Sequence, residues 1–178
     1  ENQNVVQNQP EAVTSKTTRL PGKSPIKYFA YLSEKAFGSH EDFKKRLQNE
    51  VPGLREVSTW DECDIILLFL PNVSCGGISH IVAREKLDKI AGSKPSVLVV
   101  LHYSIDPEKV ILDSSKLVNR ENTLTVDCLF HEDKGLLKCC KNEEAVKTVK
   151  KWLEDLQSKP TDSQNSVFCS CCRCKADC

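Results

Sequence analysis

Asp64-Ile65-Ile66-Leu67-Leu68-Phe69-Leu70-Pro71-Asn72-Val73-Ser74-Cys75-Gly76-Gly77 decides how the rest of this chain is read. The six consecutive apolar residues Ile65 to Leu70 are too few to cross a membrane and too uniform for a strand with one wet face. They predict a central strand covered on both sides, as in a parallel sheet with helices above and below. Pro71 is expected to end that strand, because it has no N–H for the ladder. Gly76-Gly77 then leads into a helix. In open α/β sheets ligands bind just beyond the carboxyl ends of such strands, so a site is expected at this edge.

Upstream, Ile26 to Leu32 reads as the first strand. Ser39-His40-Glu41-Asp42 opens a helix, with Ser39 as N-cap and acidic residues in the first turn. Phe43, Leu47 and Val51 give that helix one apolar face, and Pro52-Gly53 stops it. Leu54 to Val57 is a short strand at an edge. Downstream, a helix from Ser79 to Ile90 turns Ile78, Ile81, Val82, Leu87 and Ile90 inward. Ser96 to Leu101 is another unbroken apolar strand, and Leu124 to Phe130 is the fifth. Between them, Ile105 to Arg120 carries mixed signals and reads as a short helix or an irregular excursion. A last helix, Glu143 to Leu156, buries Val146, Val149, Trp152, Leu153 and Leu156.

Strand and helix therefore alternate, which implies right-handed crossovers and a parallel sheet. The expected fold is a single three-layer α/β domain over residues 26–156, with a mostly parallel five-stranded sheet in the order 2-1-3-4-5. Residues 1–25 read as a disordered arm, and residues 157–178 as a linker with a cysteine-rich tail.

The 178 residues carry 25 basic and 25 acidic side chains, so the formal net charge is zero. A general nucleic-acid binder shows a basic excess or stripe, and neither is present, so no nucleic-acid partner is expected. No apolar run approaches a spanning helix. The chain contains no methionine, so Glu1 is not expected to be a translation start. Of the ten cysteines, Cys63, Cys75, Cys128, Cys139 and Cys140 are scattered through the body, in the manner of reduced cytoplasmic thiols.

The predicted carboxyl edge collects Ser33, Gly38, Ser39, Asn72, Ser74, Gly76, Gly77 and His102 as ligand-binding candidates. Gly76-Gly77 before a helix lets backbone amides approach a phosphate. The pattern is neither a dinucleotide fingerprint nor a P-loop, and a plain strand-to-helix turn explains it as well. Gly38-Ser39 is a second anion candidate, with ordinary capping as its plainer reading. Cys75 with His102 or His131, and Glu132 or Asp133 as orienting carboxylate, is a candidate nucleophile and base, with a small turn residue and two solvated histidines as the plainer reading. No local signature supports it, and no catalytic residue is assigned. His131-Glu132-Asp133 is a poor zinc signature and reads as an acidic surface loop, so neither metal nor cofactor is expected. Asn72-Val73-Ser74 matches a glycosylation acceptor, relevant only in a secretory compartment.

The tail Phe168-Cys169-Ser170-Cys171-Cys172-Arg173-Cys174 offers reachable thiols beyond a polar linker. S-acylation of Cys169, Cys171, Cys172 and Cys174 is the first reading, because several acyl chains hold a membrane far better than one. Metal capture by thiolates and a tail without function are the others.

Val126-Asp127-Cys128-Leu129-Phe130-His131-Glu132-Asp133-Lys134-Gly135-Leu136-Leu137, with Asn119-Arg120-Glu121 before it, resembles a family of uncharacterised fish proteins. So do Gly38-Ser39-His40-Glu41 and Asp61-Glu62-Cys63-Asp64. The resemblance spans residues 26–156 and implies no activity. Relatives have an acidic helix start after the central strand, where this chain has Ser74-Cys75-Gly76-Gly77-Ile78-Ser79-His80. Any chemistry served by those acids would be missing here. The strand grammar is also similar to flavodoxin-like, Rossmann-like, Toll-receptor-like and nucleoside-transferase-like domains. The functional expectation is a non-catalytic α/β binding or adaptor domain in the cytoplasm, with a protein partner, tethered to a membrane surface by its acylated tail. The alternative is a small-molecule binding protein or enzyme for a nucleotide-like or phosphorylated ligand at the carboxyl edge.

Overall fold

The computed structural model describes residues 24–72, 80–116 and 118–158. Within them lie β1 (Lys27–Leu32), α1 (Ser39–Glu50), β2 (Arg55–Glu56), β3 (Ile65–Asn72), α2 (His80–Ala91), β4 (Ser96–Tyr103), β5 (Thr123–His131), β6 (Gly135–Leu136) and α3 (Cys140–Ser158). The chain is an α/β protein with a mostly parallel sheet. The expected five strands give way to six, in the order β2-β1-β3-β4-β5-β6. The sixth, β6, is antiparallel to β5. Two residues carry no periodicity, which is why β6 left no trace in the sequence pattern.

The apolar run of β3 is explained by its neighbours. It pairs with β1 on one side and β4 on the other, and Ile65 through Pro71 are all buried. Ile65, Leu67 and Phe69 join Val97, Val99, Leu101, Val126, Cys128 and Phe130 on one face. Phe43 and Leu47 of α1 and Val146, Val149 and Leu153 of α3 cover that face. Leu68 and Leu70, with Leu98 and Val100, meet Ala83 and Leu87 of α2 on the other face. Three layers result, with the sheet in the middle.

Several boundaries differ from expectation, each for a local reason. Pro71 does not end β3, which continues to Asn72, with Pro71 in register with Leu101. Ser33 N–H donates to Phe69 O, so the odd residues of β3 direct their main-chain groups toward β1. β1 stops at Leu32, opposite Phe69, so no ladder partner awaits the N–H that Pro71 lacks. Ser39 is not the N-cap of α1. Gly38 holds that position at φ 79, and Ser39 Oγ donates backward to Ala36 O at 2.5 Å. The left-handed backbone at Gly38 is what a residue without Cβ adopts freely. β2 is shorter than expected, while α3 starts three residues earlier, at Cys140 rather than Glu143. The excursion after β4 is irregular, with one 3-10 turn at Ser114–Lys116.

Two fastenings complete the fold. Asn142, fully buried in the first turn of α3, accepts from Leu129 N–H and donates to Leu129 O and Leu137 O, each at 2.8 Å. At the other fastening, Gln157 Nε2 donates to Ser24 O at 2.9 Å, joining the two ends of the described domain.

Candidate functional site at the carboxyl edge

The parallel register fixes which side chains meet beyond the strand ends. Asn72 of β3 is paired with His102 of β4, and His102 with Leu129 of β5. Asp127 lies two residues before Leu129 and so shares its face. These positions are on the α2 side of the sheet, continuing the rows that begin with Leu70 and Val100. Ser33 extends the β1 ladder by one step, at the level of Leu70, and shares that face. The β1/β3 boundary is the topological switch of this sheet, because the connections from β1 and β3 leave in opposite directions.

At this edge a polar network has formed. His102 Nε2 is 2.7 Å from Asp127 Oδ1, with side chains only 13% and 11% exposed. Asp127 also accepts from Ser114 Oγ at 2.6 Å and from Ser114 N–H at 2.9 Å. Burial works to raise the Asp127 pKa, but hydrogen bonds from His102 and Ser114 outweigh it and leave the carboxyl below its ordinary range. An ionised Asp127 can only accept, so Nε2 of His102 is the donor. In the neutral imidazole Nδ1 is then an acceptor, and Asn72 Nδ2 lies 3.4 Å from it. The network has a structural duty too. Ser114 opens the 3-10 turn, so Asp127 ties the whole excursion to the sheet.

Ser33 Oγ is buried and has no hydrogen-bond partner among the described residues. An unmade hydrogen bond of this kind costs about 1–3 kcal/mol. Gly38 and Ser39 play another part. Ser39 is fully buried and its hydroxyl is engaged, and Glu41 and Asp42 already supply negative charge to the first turn of α1. That helix end is therefore poorly suited to an anion. Ser74, Gly76, Gly77 and the nucleophile candidate Cys75 lie outside the described residues, as do the tail thiols Cys169, Cys171, Cys172 and Cys174.

His131 does not join His102. Its ring stacks on Tyr103, with Tyr103 Oη 3.3 Å from Nε2, and its Nδ1 accepts from Asp133 N–H. Among the described residues no cluster of His, Cys, Asp and Glu is arranged to hold a metal, and no helix is long and apolar enough to cross a membrane. A cleft of about 580 Å³ lies toward the opposite edge, lined by Arg84, Gly92, Ser93 and Asn119 to Asn122. Its arginines are occupied: Arg120 binds Asp88, Thr123 and Gly92 O, and Arg84 donates to Asn119 O.

Sequence reasoning placed Ser33, Asn72 and His102 at one edge, and they share a face there. It missed Asp127 and Ser114. The available signal for Asp127 was a single charge inside the apolar strand Leu124-Thr125-Val126-Asp127-Cys128-Leu129-Phe130. A charge there must be paired. No protein family, curated protein or solved structure matches this chain. The class that the fold and edge define is an α/β domain with a cluster of polar side chains beside its switch point.

Proposed function

We propose that the chain is a non-catalytic α/β binding domain that takes a small, hydrogen-bonding ligand in the crevice formed by Ser33, Asn72 and His102. The observation that carries this reading is the buried Ser33 Oγ at the switch point, which has no hydrogen-bond partner among the described residues. A ligand hydroxyl or amide there would make a bond that no described residue supplies. The ligand portion proposed is uncharged, of the kind a nucleoside or sugar presents, since a hydroxyl such as Ser33 Oγ pairs with a neutral donor or acceptor. Binding without chemistry is favoured by the state of His102. Both ring nitrogens are engaged, by Asp127 and Asn72, and the Ser114 hydroxyl donates to Asp127 rather than to the imidazole.

Thermal-shift titration of the full chain against nucleosides, ribose and the matching 5′-monophosphates tests the proposal. A nucleoside or sugar should raise the melting temperature, and its phosphate should add nothing. Ser33→Ala should leave the free protein equally or more stable and abolish the shift. A panel without any shift, or a shift indifferent to Ser33→Ala, would overturn the reading.

A further inference from the structure

Beyond β4 the chain crosses Lys109-Val110-Ile111-Leu112-Asp113 in an extended path that belongs to no strand. Only its middle residue is partly buried, with exposed residues on both sides. Ile111 turns inward against Leu129, Leu137 and Cys139. Val110 and Leu112 face solvent, 93% and 84% exposed. Among the described residues, the main-chain N–H and C=O groups of Val110, Ile111 and Leu112 have no protein partner. Apolar side chains and unpaired main-chain groups on one exposed extended segment form a template for strand addition. The sheet's own outer strands, β2 and β6, are two residues each and offer no comparable length.

We propose that Lys109–Asp113 pairs antiparallel with the same segment of a second copy of this chain. The sequence of the segment is what selects that occupant. A two-fold axis through Ile111 sets Lys109 of one copy opposite Asp113 of the other, twice over. It also sets Val110 opposite Leu112. Opposite charges across an antiparallel pair are favourable and like charges are not. A parallel pairing in the same register would put Lys109 against Lys109 and Asp113 against Asp113. The segment is thus self-complementary in charge and in hydrophobicity only in the closed, two-fold arrangement, which is the commonest symmetry of homodimers. Five residues a side make a small contact, well under the roughly 1,200 Å² of a stable interface, so the dimer is weak and concentration-dependent.

Sedimentation velocity of the full chain with reductant present, from about 10 µM to about 1 mM, tests the proposal in the range of weak association. The mean sedimentation coefficient of the parent should rise with concentration. Lys109→Asp and Asp113→Lys should each abolish the rise, and the double substitution should restore it. Asp113 Oδ1 also accepts from Ser115 in the following turn, and Lys109 Nζ donates to Tyr103 O, so changing either disturbs the monomer as well. Val110→Lys avoids that difficulty, since Val110 touches little in the monomer. It should hold the chain monomeric with an unchanged melting temperature. A parent chain monomeric throughout the range, or association unaffected by Val110→Lys, would overturn the proposal.

Discussion

Asp127 shows how one side chain can serve the sheet and the candidate crevice together. Replacing it by Ala strands the Ser114 N–H and the His102 donor, at a cost of about 2–3 kcal/mol, since its bonds are made to a charged acceptor. Chemical denaturation near neutral pH measures that loss. Its pH dependence follows from the direction of the shift. The folded-state pKa lies below the ordinary carboxylate value, so the stabilisation is complete above about pH 4 and is lost as the pH falls through the depressed value. The melting-temperature gap between parent and Asp127→Ala should therefore hold constant down to about pH 4 and close below it. Thiols supply a second test at this scale. Cys128 is fully buried in β5 and its pKa is pushed up by desolvation, while Cys140 at the start of α3 is exposed. In native protein iodoacetamide should modify Cys140 and leave Cys128 intact, and peptide mapping reads the difference. Modification of both at similar rates would contradict the packing of β5.

The elements differ in how plainly the sequence announces them, and the difference is physical. β3 and β4 are flanked by strands and covered on both faces, so each shows as an unbroken apolar run. α1 and α3 show as periodic stripes because one face of each stays wet. β6 is legible in neither way, since its position depends on partners about ninety residues away in sequence: Asp42 accepts from Leu136 N–H, and Arg46 donates to Leu136 O and Leu137 O. Asn142 is hidden for a related reason, because its three partners are backbone atoms. Asn142→Ala should cost about 2–4 kcal/mol, since buried main-chain groups of Leu129 and Leu137 lose their partners. Urea denaturation would measure it, and a change under about 0.5 kcal/mol would show that water replaces the amide. The candidate crevice was half legible. Topology alone gathers Ser33, Asn72 and His102, whereas the His102–Asp127 pair spans two strands and has no local signature.

At the scale of the whole molecule, parallel pairing makes nearly every sheet contact a long-range one. β1 pairs with β2 and β3, β3 with β4, and β4 with β5, all in parallel. Such a fold has to close large loops and should fold more slowly than a helical bundle of its size. Yet the two ends of the described domain are neighbours, since the Gln157 amide reaches the carbonyl of Ser24. A short Gly/Ser link from Ser158 to Ser24, with the chain reopened at the exposed Pro107–Glu108 bend, should therefore give a permuted protein. Its cooperative unfolding should fall within about 2 kcal/mol of the parent. Loss of the cooperative transition would show that the two ends part in solution. The same proximity has a consequence for ancestry and engineering alike. A unit whose entrance and exit share one doorway can be spliced into a surface loop of another protein without prying its host apart.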